Sequence, residues 1–176
     1  MKKTLVAALL ALLSLTFVEA KQRKAEDPVL QFNENGKFKI VQFTDTHLGY
    51  NNRPVYDKSV EMITSIVKTE KPDLVIFTGD IVTGAPMKQG LDNLFAPLDE
   101  MGVPFMLLLG NHDREDELPA WEIAKIATSH KSSINTMSQD YLDDIALRIK
   151  SSDGKKVAAV VYGMDSNDYS VVPDHW

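Results

Sequence analysis

Residues 74–80 read Leu-Val-Ile-Phe-Thr-Gly-Asp, and the rest of the chain is organised around them. Four apolar residues before a polar turn predict a short strand that is covered on both faces, as in the parallel sheets of α/β proteins. Asp80 follows at the point where that strand ends. Because ligands bind at the carboxyl ends of the strands in open α/β sheets, Asp80 is a candidate for chemistry.

Two other segments have the same build as residues 74–80. Residues 40–47 read Ile-Val-Gln-Phe-Thr-Asp-Thr-His, and residues 105–113 read Phe-Met-Leu-Leu-Leu-Gly-Asn-His-Asp. Each segment alone is compatible with ordinary turn chemistry, since Asp and Asn commonly follow strands. The occurrence of all three segments in this order indicates a functional site. The alternative is a purely structural α/β module in which the three segments occur by coincidence.

The side chains after these strands are metal ligands by type, namely Asp45, His47, Asp80 and Asn111. In an extended segment Asp45 and His47 would point to the same face, so they could share one ion. The Asp80 carboxylate could bridge two ions that clamp an in-line displacement.

The residues after Asn111 are candidates for catalysis. His112 cannot easily bind the same ion as Asn111, so we expect it to stabilise phosphoryl oxygens or to protonate a leaving oxygen. Asp113 could hold the His112 ring in one tautomer. The alternative for Asp113 is a cap or turn role.

Helical patterns separate the three predicted strands. Apolar residues recur at helical spacing over residues 54–70 and 91–101, where Pro97 predicts a kink or a late start. A third helix is expected near Pro119, with Asp116 or Glu117 as its cap. The strand–helix–strand order predicts parallel pairing and an α/β fold.

Two hairpins are predicted outside this repeat. Asn35-Gly36 lies between the apolar runs 29–32 and 37–43. The alternating residues 145–150 and 157–162 flank a second turn, with a helix over 141–150 as the alternative. We interpret residues 80–86 and 132–139 as loops and His130 as a surface residue.

Composition excludes several classes of function. The chain has 176 residues, which is enough for one domain with a core. Its formal net charge of −6 provides no basic field, so no nucleic-acid partner is expected. The absence of cysteine excludes disulfides and thiolate metal sites.

The first 20 residues have the build of a secretory signal peptide. Lys2 and Lys3 precede an apolar run, and Val18-Glu19-Ala20 fits the cleavage rule loosely. The alternative is an uncleaved anchor, but the run is short for a membrane span. We therefore predict a periplasmic or secreted protein without a stable membrane anchor. A mobile mature N-terminus over residues 21–28 precedes a domain over residues 29–176.

The motifs carried by Asp45, Asp80 and Asn111 resemble the first three motifs of the calcineurin-like metallophosphoesterase superfamily. Residues 43–49, 71–84 and 110–115 are similar to its inactive purple acid phosphatase 29 and DCR-like branch, and the resemblance covers about residues 29–168. It implies two packed mixed sheets with flanking helices, an αββα sandwich of which this chain holds part.

The same resemblance implies a dinuclear site at the strand ends. Asp45, His47 and Asp80 would hold one ion, and Asp80 and Asn111 the other. His112 would be the catalytic histidine. The two ions would be divalent or trivalent, such as Mn, Fe or Zn, and the substrate a phosphorylated small molecule. The implied enzyme is a hydrolase that acts on phosphoric ester bonds.

The chain departs from the family pattern at two points. Thr83 stands where purple acid phosphatases place a tyrosine ligand, so an Fe(III)–tyrosinate centre is not expected. The later motifs, a lone histidine and Gly-His-x-His, are missing, because neither His130 nor His175 has that context.

We therefore expect a C-terminally truncated phosphoesterase that corresponds to the N-terminal half of the family domain. The 176 residues alone are expected to be poorly stable and to have little or no activity. The alternatives are a phosphodiesterase of the same superfamily, or a truncated, non-catalytic protein that binds one metal weakly or not at all.

Overall fold

The computed structural model describes residues 29–139 and 141–166. The predicted signal peptide, the N-terminus that was predicted to be mobile and His175 lie outside these residues. The elements in chain order are β1 Ile40–Phe43, β2 Leu48–Gly49, α1 Arg53–Glu70, β3 Leu74–Thr78, β4 Val82–Thr83, α2 Met87–Met101, β5 Phe105–Leu108, α3 Ala120–Ser129, β6 Met137–Ser138, β7 Tyr141–Leu142, β8 Ile145–Lys150 and β9 Val157–Gly163. A 3-10 turn at His112–Arg114 lies between β5 and α3.

A parallel sheet of three strands, in the order β1-β3-β5, forms the centre of the fold. Phe43 pairs with Phe77, and Thr78 pairs with Leu108, so the carboxyl ends of the three strands lie side by side. Residues 80–86 are not all loop, because β4 pairs in parallel with β2 just beyond this edge. The α/β fold class is confirmed.

The two faces of the central sheet pack against different layers, because successive side chains of a strand point to opposite faces. The residues that face the helices are Val75, Phe77, Phe105 and Leu107, and they join the core of α1, α2 and α3. The residues of the other face, which pack against the β8–β9 hairpin, are Leu74, Ile76 and Met106. The sheet is therefore covered on both sides, as its apolar strands predict.

The helices follow the sequence patterns closely. α1 has Pro54 in its first turn, and Lys71 is its C-cap with a left-handed backbone. α2 starts at Met87 and contains Pro97, so it does not begin late, and Gly102 at φ 64° is its C-cap. Among the described residues, no helix is long and apolar enough to cross a membrane.

The predicted hairpin at Asn35-Gly36 is wrong in its pairing. The turn itself forms, with the Asn33 N–H donating to the Lys37 carbonyl at 2.9 Å. Its first arm pairs with the end of β8 instead, through Phe32 N–H to Lys150 O at 2.9 Å. The edge of β8 that does not pair with β9 supplies these partners, since the Lys150 N–H also donates to the Leu30 carbonyl at 2.9 Å.

The second predicted hairpin is confirmed as the antiparallel pair β8–β9. The alternative helix over residues 141–150 is not formed. Residues 132–139 are not simply loop, because β6 pairs with β7 and Asn135 is buried. The Asn135 side chain accepts the Leu107 N–H and donates to the Leu107 carbonyl, both at 2.8 Å, and so continues the ladder beside β5.

His130 is not a surface residue, because the end of α3 packs against α2. Its side chain is 11% exposed, and Nδ1 lies 2.8 Å from the carboxylate of Asp99. Its ring also meets the ring of Phe95 edge-on at 5.4 Å between centroids. His130 therefore belongs to the packing at the amino end of β5.

Candidate metal centre

Asp45, His47 and Asp80 meet at the carboxyl edge of the central sheet. One ligand atom from each lies within 4.8 Å of the others. His47 Nε2 is 3.8 Å from a carboxylate oxygen of Asp80. Asp80 is 8% exposed, whereas Asp45 and His47 open to solvent. A small cation could therefore reach all three from one side.

These three residues share an unusual backbone conformation. Their φ angles are 50°, 41° and 54°, and among the described residues only five non-glycine residues have positive φ. Such a conformation costs about 1–3 kcal/mol and is concentrated at functional sites. The extended segment expected for Asp45 and His47 is therefore wrong, and the left-handed bends bring their side chains to Asp80.

Backbone hydrogen bonds hold these bends in place. The Asp45 N–H donates to the Gly79 carbonyl at 3.0 Å, and the His47 N–H donates to the Asp80 carbonyl at 2.9 Å. Leu48 continues the pattern to the carbonyl of Ile81 at 2.8 Å. The loop of residues 45–48 is therefore hydrogen-bonded along its length to the loop of residues 79–81.

Two glycines allow the loops to approach one another. A Cβ added at Gly79 would lie 2.7 Å from the Gly110 nitrogen. A Cβ added at Gly110 would overlap Oδ1 of Asp80 and lie 2.8 Å from its backbone nitrogen. A side chain at Gly110 would therefore displace the Asp80 carboxylate.

The turn at residues 110–115 contacts Asp80 directly. The His112 N–H donates to Oδ1 of Asp80 at 3.0 Å. Asn111, the residue before His112, is half-buried. Its carbonyl accepts the Arg114 N–H at 3.2 Å. Asn111 is thus at the same sheet edge as the other candidate ligands.

Asp113 binds backbone and does not make the predicted contact with the His112 ring. Its carboxylate accepts N–H groups of Asp80, Ile81 and Gly110, each at 2.8 Å. Asp113 is 2% exposed, and burial raises its pKa against the lowering effect of these donors. The turn alternative considered for this residue matches its contacts.

Glu115 takes the position expected of Asp113. His112 Nδ1 lies 2.5 Å from the Glu115 carboxylate, and this hydrogen bond raises the pKa of His112. The His112 ring meets the His47 ring edge-on at 5.3 Å between centroids. His112 therefore faces the cluster, with Nε2 as the ring nitrogen that remains for a ligand.

Asp116 and Glu117 support the site in a way that the sequence pattern did not indicate. Asp116 and Glu117 were expected to cap α3, but they accept the N–H of Gly84 at 2.8 Å and of Met87 at 2.7 Å. They thereby tie the loop after β4 to the segment after the 3-10 turn, and Pro119 takes the cap position. The only available signal was the acidic run after the third motif, which is equally typical of a helix start.

The donor set fits a divalent cation. Two carboxylates and an imidazole are ligands that Mn, Fe and Zn accept. Metal–ligand bonds of about 2 Å place donors of one ion up to about 4 Å apart. The observed spacing of up to 4.8 Å therefore needs only small side-chain adjustments.

A sequence model described as calcineurin-like phosphoesterase matches residues 38–173. Phosphatase DCR2 of Saccharomyces cerevisiae is 28% identical over 92% of this chain and 32% of its own length. Probable inactive purple acid phosphatase 29 of Arabidopsis thaliana is 29% identical over 93% of this chain and 48% of its own length. A probable glycerophosphodiester phosphodiesterase of Arcobacter nitrofigilis is 36% identical, over 45% of this chain and 31% of its own length. The chain therefore spans a third to a half of the length of these relatives.

Proposed function

Because the chain belongs to the calcineurin-like phosphoesterase family, we propose that it is a metal-dependent phosphoesterase domain that acts on phosphorylated small molecules. The observation that carries this proposal is the convergence of Asp45, His47 and Asp80 within 4.8 Å at the strand ends. The left-handed backbone at all three supports it, because strained residues collect at functional sites.

We assign the metal-binding roles as follows. Asp45, His47 and Asp80 would hold one ion, and Asp80 and Asn111 would hold a second. When bound, such ions supply Lewis acidity to a phosphoryl oxygen and lower the pKa of a water molecule. Their identity is open among Mn, Fe and Zn, since the ligand types accept each.

The chain's own residues orient the reaction. His112 would donate from Nε2 to a phosphoryl or leaving-group oxygen, because Glu115 engages Nδ1. Asp113 would act as a positioning residue, since it fixes the backbone of Asp80 and Gly110. Asp80 itself is oriented by the N–H of His112.

We further propose that the 176 residues alone turn over little phosphoester. Catalytic zinc sites typically have three protein ligands, whereas Asp80 and Asn111 would give the second ion only two. His130, the remaining histidine of the described residues, is held by Asp99 instead. The first 20 residues are proposed to be a signal peptide, residues 21–28 the mature N-terminus and residues 29–176 part of the phosphoesterase domain, which would act in the periplasm or outside the cell.

The proposal is tested by Mn²⁺ titration followed calorimetrically and by thermal unfolding. The unaltered chain is expected to bind Mn²⁺ and to unfold at a higher temperature, since a ligand of the native state stabilises it. Asp80→Asn should lose both effects. Asp57→Asn, a change in an exposed ion pair of α1, should retain them. Binding that survives in Asp80→Asn would overturn the assignment.

Two alternatives concern turnover, which is measured in the same samples. The relative named as a phosphodiesterase favours a diester substrate. The relatives named as probable inactive phosphatases favour a metal-binding domain without catalysis. Rates with p-nitrophenyl phosphate and bis(p-nitrophenyl) phosphate distinguish a monoesterase from a diesterase. Robust turnover of either by the 176-residue chain, lost in Asp80→Asn, would overturn the low activity proposed for this length.

A further inference from the structure

We propose that the ion pair between Arg114 and Asp165 positions the turn that carries Asn111 and His112 at the metal centre. This role rests on the proposed function, in which Asn111 would hold a metal ion and His112 would donate to a substrate oxygen. Arg114 ends the 3-10 turn, and Asp165 lies two residues beyond β9. The pair therefore joins the active-site edge of the central sheet to the hairpin layer.

The geometry of the pair is close and largely buried. Nη2 of Arg114 lies 2.6 Å from Oδ1 and 2.5 Å from Oδ2 of Asp165. The two side chains are only 14% and 16% exposed. In the Arg53–Asp57 pair of α1, by contrast, the side chains are 49% and 54% exposed. An exposed pair contributes little, whereas removing one partner of a buried pair leaves a charge without compensation.

The hairpin end that carries Asp165 is itself fixed. A Cβ added at Gly163 would lie 2.6 Å from Sδ of Met106 and 3.2 Å from a methyl of Leu108, so the end of β9 sits directly against β5. The Asp165 N–H also donates to the Asp144 carboxylate at 3.0 Å. These contacts place Asp165 close to β5 and to the neighbouring turn.

The turn has two sets of anchors, and they act on different elements. The His112 N–H donates to the Asp80 carboxylate, and the Asp113 carboxylate accepts the Asp80 N–H. Arg114 binds the hairpin layer. Because Arg114 is three residues from Asn111 and two from His112, loss of the second anchor is expected to loosen both. We infer that the pair sets how well the turn is ordered before a cation arrives.

The test compares amide hydrogen exchange in the full chain without metal, before and after Asp165→Asn. The informative amides are those of Gly110, His112 and Arg114, which are hydrogen-bonded within the turn or to Asp80. We expect these amides to exchange at least tenfold faster in the variant, while the amides of α1 keep their rates. Asp57→Asn is the matched control, and it should leave the turn unchanged.

A second variant and a binding measurement complete the test. Arg114→Met should accelerate exchange in the turn as Asp165→Asn does, and Arg114→Lys should restore part of the protection because it keeps the charge. Mn²⁺ affinity should fall at least tenfold in Asp165→Asn. Unchanged exchange in the turn, or equal acceleration in α1, would overturn the positioning role. Failure of the unaltered chain to bind Mn²⁺ would instead overturn the proposed function, while the exchange comparison still decides whether the pair orders the turn.

Discussion

The carboxylate of Asp113 accepts the backbone N–H of Asp80 at 2.8 Å, across a sequence separation of 33 residues. The same carboxylate accepts the N–H of Ile81 and of Gly110, so one buried side chain joins the second and third motifs. The position of Asp80 thus depends on a carboxylate that is itself buried.

Replacement of Asp113 by Asn should destabilise the protein by about 2 kcal/mol. The amide keeps the shape of the side chain, but its NH₂ group must face at least one buried N–H that needs an acceptor. Urea unfolding measures the loss. The exposed Asp57→Asn serves as control and should change the free energy of unfolding by less than about 0.5 kcal/mol. A loss in Asp113→Asn no larger than the control's would contradict the role assigned to Asp113.

Gly110→Ala should weaken the binding of Mn²⁺. The added methyl overlaps Oδ1 of Asp80, so the carboxylate must leave its present position at the candidate site. Calorimetric titration is expected to show at least a tenfold weaker affinity. Gly36→Ala is the control, since Gly36 also belongs to a tight turn but an added Cβ meets nothing within 4 Å. It should lose some stability, because φ is 68°, and keep its affinity.

His47→Gly should stabilise the protein by about 1 kcal/mol in the absence of metal. The variant should no longer become more stable when Mn²⁺ is added. Glycine adopts φ near 41° without the Cβ strain that histidine has there. Thermal unfolding with and without Mn²⁺ measures both effects. Lys71→Gly relieves a similar strain at the end of α1 and should leave the response to Mn²⁺ intact. A lower stability of metal-free His47→Gly would show that the contacts of the histidine side chain outweigh the backbone strain at this position.

Acid should destabilise the protein partly through Asp99. Burial alone raises the pKa of Asp99, but the Ser132 N–H and the His130 ring outweigh it and hold the pKa below its ordinary value of 3.8. The carboxylate therefore contributes stability above pH 3.8, and this contribution is lost as the pH falls further through the folded-state pKa. Urea unfolding between pH 6 and pH 3 should show a shallower decline in Asp99→Asn than in the unaltered protein. Parallel declines would show that Asp99 is not a source of the acid sensitivity.

The sequence predicted the parts of the fold that depend on local pattern. Strand–helix alternation and the apolar run before Asp80 each act over a few residues, and the structure contains both. The partner of residues 29–32 was not predictable in this way, because a turn at Asn35-Gly36 does not decide which strand edge its first arm pairs with.

The candidate site was predictable in its residue types but not in its geometry. Position after a strand was enough to choose Asp45, His47 and Asp80. Their left-handed backbone was not predictable, because it is imposed by pairing with the loop at Gly79 and by the packing of Gly110. Likewise, nothing in the local sequence distinguishes Asp113 from Glu115 as the residue beside the His112 ring, since both lie within one turn of it.

The left-handed bends at the three candidate ligands bear on attempts to transplant this centre. A recipient sheet with the same side chains on an ordinary extended edge would spread the donors apart, so grafting Asp, His and Asp alone would fail. The transferable unit is a pair of interlocked loops together with the glycines that let them touch. A library that searches such centres should therefore vary backbone shape before it varies side-chain identity.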